Sequence, residues 1–163
     1  KIIMAEKSVF NRLLIALQAR VLDQVADTPD EPGIRNIDRD LGQIDNYTTR
    51  PQMAGGANLF IDFPNTDYTQ RQLKTQLANI DVLLRLAFDP WGSSSSLSPE
   101  DVRQKTLIYF EIEHRLVLAL QDWTADGLLV LPMKRIAAVS EKREGDRLSV
   151  RQLLFKCQFV DYF

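Results

Sequence analysis

The chain has 163 residues, of which 45% are hydrophobic and 26% charged, and its formal net charge is −2. That length suits one domain spanning 1–163, large enough to bury about two thirds of its unfolded surface without a metal or disulfide. The near-neutral charge argues against a dedicated nucleic-acid binder, and the lone Cys157 excludes an intramolecular disulfide.

Residues 1–3 precede Met4 and carry no weight in the reading. Ser8 stands where it would cap a helix running to about Val25. In that helix Phe10, Leu13, Leu14, Leu17, Val21 and Val25 recur at helical spacing. Ile15 and Leu22 fall on its far side, either as tolerated exposed aliphatics or as part of a second contact surface. The apolar run Leu13–Leu17 is too short to span a membrane and lacks the flanks of a signal peptide.

Residues 27–57 are rich in Pro, Gly, Asn and Asp and show no apolar period, so they read as one long loop with a helical turn around Ile37–Ile44. Leu59–Phe63 then reads as a strand ending at Pro64. In residues 76–89, Ala78, Ile80, Val82, Leu84, Leu86 and Phe88 alternate with Leu77, Asn79, Asp81, Leu83, Arg85 and Ala87. That is the period of a strand with one buried face and one mixed face.

"PWGSSSSLSPEDV" turns into a second helix, with Ser98 as cap, Pro99 in first position and Asp101 where a capping box takes an acid. This helix runs to about Asp122 with Val102, Tyr109, Phe110, Ile112, Leu116, Val117 and Leu120 on a broad apolar face. Glu113 falls within that face and needs a basic partner or solvent. The last third reads as a hairpin, Leu128–Val139 and Leu148–Phe159, turning through "EKREGDR". Pro132 marks an edge, a bulge or a strand start. Leu148 and Val150 share one parity, whereas Leu153, Phe155, Cys157 and Phe159 share the other, which predicts a β-bulge near Arg151–Gln152. The expected fold is α+β, with two helices packed on one face of a largely antiparallel four-stranded sheet, in the order α-β-β-α-β-β with a long loop after the first helix.

Chemistry is sparse. His114 is the single histidine and has neither an orienting partner nor a nucleophile in view, so packing or surface is its plainer role. "DRDLGQID" (Asp38, Asp40, Asp45) lacks the alternating oxygens and closing glutamate of a calcium loop. Gly55–Gly56 lacks the lysine and hydroxyl of a phosphate loop. Asp62 and Asp81 would form a carboxylate pair if their strands aligned them, and with His114 they would make a small enzyme or ligand-binding site; solvated or arginine-paired carboxylates are the plainer account. Neither helix has the basic polar face of a membrane-surface helix, and the aromatic residues sit in core positions rather than on a base-stacking platform. No catalytic, cofactor-binding or metal residue is therefore expected.

Charge placement is more informative. Residues 27–67 carry eight acids and three bases, a net of −5, and residues 130–156 carry seven bases and three acids, a net of +4. Surfaces of opposite sign on one chain suit head-to-tail association, although both also suit plain solvation.

The ordered set "LFIDFP", "ANIDVLLRLAFD", "LIYFEIEHRLVLALQDW", "MKRIAAVSE", "GDR" and "SVRQLLFKCQFVDY" resembles the tail terminator (tail-completion) proteins of long-tailed bacteriophages, including the Mu-like branch. The likeness covers roughly Val9 to Asp161, and no single piece is specific. It implies a small α+β subunit that forms a hexameric ring on the tail tube, ends tube growth and presents a surface to the head. The implied partners are copies of itself, the tail tube protein and the head–tail connector, with no membrane, no specific nucleic acid and no cofactor. The implied location is the host bacterial cytoplasm during assembly and then the virion tail. Positions matching the family pattern are Asp62, Asp81, Arg85, Arg135, Asp146 and Asp161. The subunit-interface candidates are Asp62, Asp81, Leu83, Arg85, Arg135, Arg143 and Arg151. Head–tail joining and neck proteins share this architecture and form the alternative of the same class. A host adaptor without a phage role is a further alternative.

Overall fold

The computed structural model describes residues 8–46, 48, 56–89, 94–143, 145 and 147–162. Its helices are α1 (Val9–Val25) and α2 (Glu100–Leu120), and its strands are β1 (Ile34–Arg39), β2 (Ala57–Asp62), β3 (Thr66–Gln72), β4 (Thr75–Phe88), β5 (Leu131–Glu141) and β6 (Ser149–Tyr162). The six described strands form one mixed sheet in the order β1-β2-β4-β6-β5, with β3 continuing beside β2 along the same edge of β4. β1 runs parallel to β2; the other pairings are antiparallel.

The α+β class with two helices over the sheet is as expected, but the sheet has two more strands than four and is mixed. β1 lies inside the stretch that reads as loop. It escapes an apolar pattern because Ile34 and Ile37 are its only aliphatics and its pairing shifts register between Ile34 and Asn36. β3, "TDYTQRQ", is exposed along nearly its whole length and so carries no buried face for a sequence to display. The helical turn expected over 37–44 is a 3-10 turn at Gln43–Asp45, shortly after β1.

The alternation in β4 has a direct cause. Val82, Leu84 and Leu86 point to the helix side, where Leu13, Leu17, Val21 and Val25 of α1 and Ile112, Leu116 and Leu120 of α2 complete the main core. Each such side chain gains roughly 1.5–3 kcal/mol over its exposed state. Ile15 and Leu22 are half exposed, as the far-side position implies. On α2, Phe110 is exposed and leaves the expected apolar face, while Tyr109 stacks on Phe88 with ring centroids 4.0 Å apart. The tyrosine hydroxyl donates to the Asp89 carbonyl at 2.9 Å, and burial pushes its pKa upward, helped by the Asp89 charge.

Both helix starts differ from the expected caps. Ser8 and Pro99 occupy the two N-cap positions, and neither supplies a side-chain hydrogen bond. The backbone closes each first turn instead, through Arg12 N–H to the Ser8 carbonyl and Arg103 N–H to the Pro99 carbonyl.

The expected bulge in β6 is absent. β4 and β6 pair without interruption from Thr75↔Tyr162 to Phe88↔Ser149. The two apolar parities reflect two faces: Leu153, Phe155, Cys157 and Phe159 join the helix-side core, whereas Leu148 and Val150 join Phe60, Ala87 and Ile44 in a second small core on the opposite face. The 3-10 turn supplies Ile44 as its lid. The register shifts lie across the hairpin in β5, between Leu131 and Lys134, which span Pro132, and between Arg135 and Ala137. Two positions of the hairpin turn, Glu144 and Asp146, lie outside the described residues.

Candidate functional site

The helix-free face of the sheet gathers most of the predicted positions. It is built by the β4 residues of odd number, so Asp81, Leu83 and Arg85 project from one strand at two-residue spacing. Asp62 of β2 stands opposite Leu83, and Arg85 stands between Phe60 of β2 and Gln152 of β6.

Arg85 is the centre of an ion-pair network. Its Nε and one terminal nitrogen donate to the two Glu141 oxygens at 2.7 and 3.0 Å, and the other terminal nitrogen reaches Asp40 at 3.2 Å and Asp45 at 3.3 Å. Arg143 donates to Asp45 at 2.9 Å and to Glu141 at 3.1 Å, and Gln152 donates to Glu141 at 2.7 Å. The side chains of Arg85 and Asp40 are each 12% exposed, whereas Asp45 remains open to water. Burial alone would push the Glu141 carboxyl up, but hydrogen bonds from Arg85 and Gln152 and the charges around it hold it below the usual carboxylate range. Asp45 is likewise lowered: its slight burial acts upward and Arg143 and Arg85 outweigh it. The acidic segment after β1 and the basic hairpin after β5 thus already meet within one chain, which clamps the 3-10 turn over the second core.

Arg151 serves a different element. It projects to the helix side and grips Glu113 of α2 through two hydrogen bonds, at 2.7 and 3.0 Å, while also donating to Ser140 at 2.7 Å. This is the basic partner that Glu113 requires inside its apolar face. The bond to Glu113 raises the Arg151 pKa against a smaller effect of burial.

The remaining positions separate. Asp62 accepts from the N–H of Phe63 at 2.9 Å, and Asp81 lies 3.7 Å from Lys156 across the β4–β6 pair. His114 is exposed on α2, on the other side of the sheet, so Asp62, Asp81 and His114 do not converge. Arg135 is exposed on β5, and Leu83 is half buried. Asp161 lines a cleft of about 380 Å³ with Val9, Arg12, Leu128 and Tyr162. Asp146 lies outside the described residues.

Asp40, Asp45, Glu141 and Gln152 have no specific role that the sequence alone assigns. The available signal was Arg85 itself, a charge inside a long apolar strand, which demands several acceptors when its strand is covered on both faces. Among the described residues no helix is long and apolar enough to cross a membrane.

No protein-family profile matches the chain, and no curated protein matches it. Among solved structures, a chain of the "virion of native gene transfer agent (GTA) particle" shares 12% identity at a TM-score of 0.47. The match covers 94% of this chain and 92% of that one.

Proposed function

We propose that the protein is a structural subunit of a phage or prophage tail. It would cap the tail tube as a ring, the hexamer that the family resemblance implies, end tube growth and present a surface to the head. In this reading the chain works by shape and has no catalytic step, cofactor or metal. Its partners are its own copies, the tail tube protein and the head–tail connector. It assembles in the host cytoplasm and ends in the virion tail.

The observation that carries this reading is the sheet itself, which ends in two unlike flanks. β1 exposes Asp38 and Arg39 and is followed by the exposed Leu41, and β5 carries Lys134 and Arg135 beside the exposed Ile136 and Val139. Unlike flanks are what a head-to-tail contact requires. Exposed ion pairs give only ~0–1 kcal/mol each, so the apolar side chains must supply most of the affinity. With Arg151 held by Glu113 and Arg143 by Asp45 and Glu141, Arg135 is the candidate cation oriented outward.

Electron microscopy of the purified protein, alone and with tail tubes, tests the proposal. Rings, or caps at one tube end, are expected, and Arg135→Glu should weaken them. Neither rings nor caps at any salt concentration would refute it. Binding to the connector without any tube contact would favour a head–tail joining protein.

A further inference from the structure

Phe110 is turned away from the core that α2 covers, and it has company on that side. Leu107, Phe110 and Leu118 are 37%, 58% and 64% exposed, and Glu111 and His114 between them are exposed too. Residues 107, 111, 114 and 118 lie four, three and four positions apart, so they form one line along the outer face of the helix. Phe110 stands beside that line. Leu73 and Leu97 are more exposed, but each is a single position outside the helices and strands. On α2 the exposed side chains recur at the spacing of a two-helix seam.

A line with a leucine at each end and a carboxylate beside an imidazole in the middle is complementary to itself in one direction only. With a second α2 laid antiparallel about a point between Glu111 and His114, Leu107 meets the other copy's Leu118 and Glu111 meets its His114, and each contact occurs twice. An imidazole donates an N–H to a carboxylate whether or not it is charged. Laid parallel, Glu111 would face Glu111, which is repulsive. The other charges of α2 leave the centre clear. Glu100, Asp101, Arg103 and Lys105 lie in the first two turns, beyond Leu107. Arg115 is turned to the Pro32 carbonyl at 2.9 Å and to Glu31 at 3.2 Å. The outer face of α1 is a poorer occupant. Between its exposed Ile15 and Leu22 it presents Ala19, and Arg20 is engaged with the Ala119 carbonyl at 3.0 Å, so nothing there answers Glu111.

We infer that the outer face of α2 binds the same face of a second copy, antiparallel, with Leu107 on Leu118 and Glu111 on His114. The polar pair in the middle of the seam fixes its register and direction at a cost in affinity. The contact is isologous and closes at two copies, so it is separate from the head-to-tail contact of a ring and does not depend on it. The line from Leu107 to Leu118 is about 17 Å long at ~1.5 Å per residue, which is short for a permanent interface and makes the dimer a weak, reversible one.

Sedimentation of the full chain without tail tubes, from about 10 μM to about 1 mM, should show a monomer–dimer equilibrium. Glu111→Lys and His114→Glu change exposed side chains, and each should weaken the dimer about five- to tenfold. An equal mixture of the two variants should restore it, because the mixed dimer holds one new ion pair and one native pair. Disulfide trapping fixes the direction. Under mild oxidation Leu107→Cys mixed with Leu118→Cys should give a 107–118 bridge in large excess over either homodimer, and Cys157 stays in place because it is buried. A chain that shows no dimer across that range overturns the inference. So does a 107–107 or 118–118 bridge, which marks a parallel pairing, or a bridge from Leu118→Cys to Ile15→Cys, which marks α1 as the occupant. None of these results touches the caps expected on tail tubes, so the ring reading stands or falls separately.

Discussion

Replacement of Arg85 by methionine isolates the ion-pair network from the rest of the fold. Methionine preserves an unbranched stem between Phe60 and Gln152 but removes every bond to Glu141, Asp40 and Asp45. Removing one member of a fully buried pair costs about 3–5 kcal/mol, because the charge left behind is poorly solvated. Here Glu141 retains Arg143 and Gln152, and its side chain is 15% exposed. Those two facts reduce the expected loss to about 2–3 kcal/mol. For a chain of this size the thermal midpoint should fall by about 4–12 °C. Urea unfolding followed by circular dichroism should show a lower midpoint at unchanged slope. Adding Asp40→Asn to Arg85→Met should recover part of the loss, since Asp40, 12% exposed, loses its Arg85 cation and the amide removes that charge while still accepting from the Gly42 N–H. A loss below ~0.5 kcal/mol for Arg85→Met alone would mean that the network is no more than a set of solvated surface pairs and does not clamp the 3-10 turn.

The same network sets the response to acid. Glu141 and Asp45 have folded-state pKa values below their ordinary ones, so their contribution is present above the ordinary carboxylate range and is lost as pH falls through the depressed values; the acid loss should shrink in Arg85→Met when unfolding is followed from about pH 6 to about pH 2. Glu113→Ala should cost about 1–2 kcal/mol in urea unfolding, because Arg151 loses two hydrogen bonds beneath α2. Gly33→Ala should cost more than about 2 kcal/mol, because a Cβ there would lie 2.4 Å from the carbonyl oxygens of Val25 and Ala26, which belong to backbone that cannot step aside. Cys157 should react with a thiol reagent only at the rate of opening, and denaturant should accelerate the reaction in step with unfolding measured by circular dichroism.

Where the chain buries one continuous face, its sequence states the element clearly. Leu13, Leu17, Val21 and Val25 define α1, and the alternation through Ile80, Val82 and Leu84 defines β4, because each faces the same core. The sequence is silent where that relation fails. β3 buries almost nothing, and β1 is a short parallel edge strand whose two isoleucines fall at irregular spacing. Leu148 and Val150 mislead for the opposite reason, since a second covered face produces the same pattern as a bulge. In the candidate site, the demand of Glu113 for a cation was legible, but its partner was not, because Arg151 lies 38 residues away and reaches it only through the packing of α2 on β6. Arg85 and Arg143 were legible as charges; their common attachment to Asp45 depends on where the segment after β1 lands.

The uninterrupted β4–β6 ladder joins residues separated by 61 positions at one end and 87 at the other. During synthesis at ~5–20 residues per second, β4 leaves the ribosome roughly 3–17 s before its principal neighbour exists. For that interval Ile80, Val82 and Leu84 belong to a sticky nascent ribbon, vulnerable to pairing with another chain. Yield from cells should therefore respond to translation speed, temperature and chaperone supply more steeply than the stability of the finished molecule would suggest.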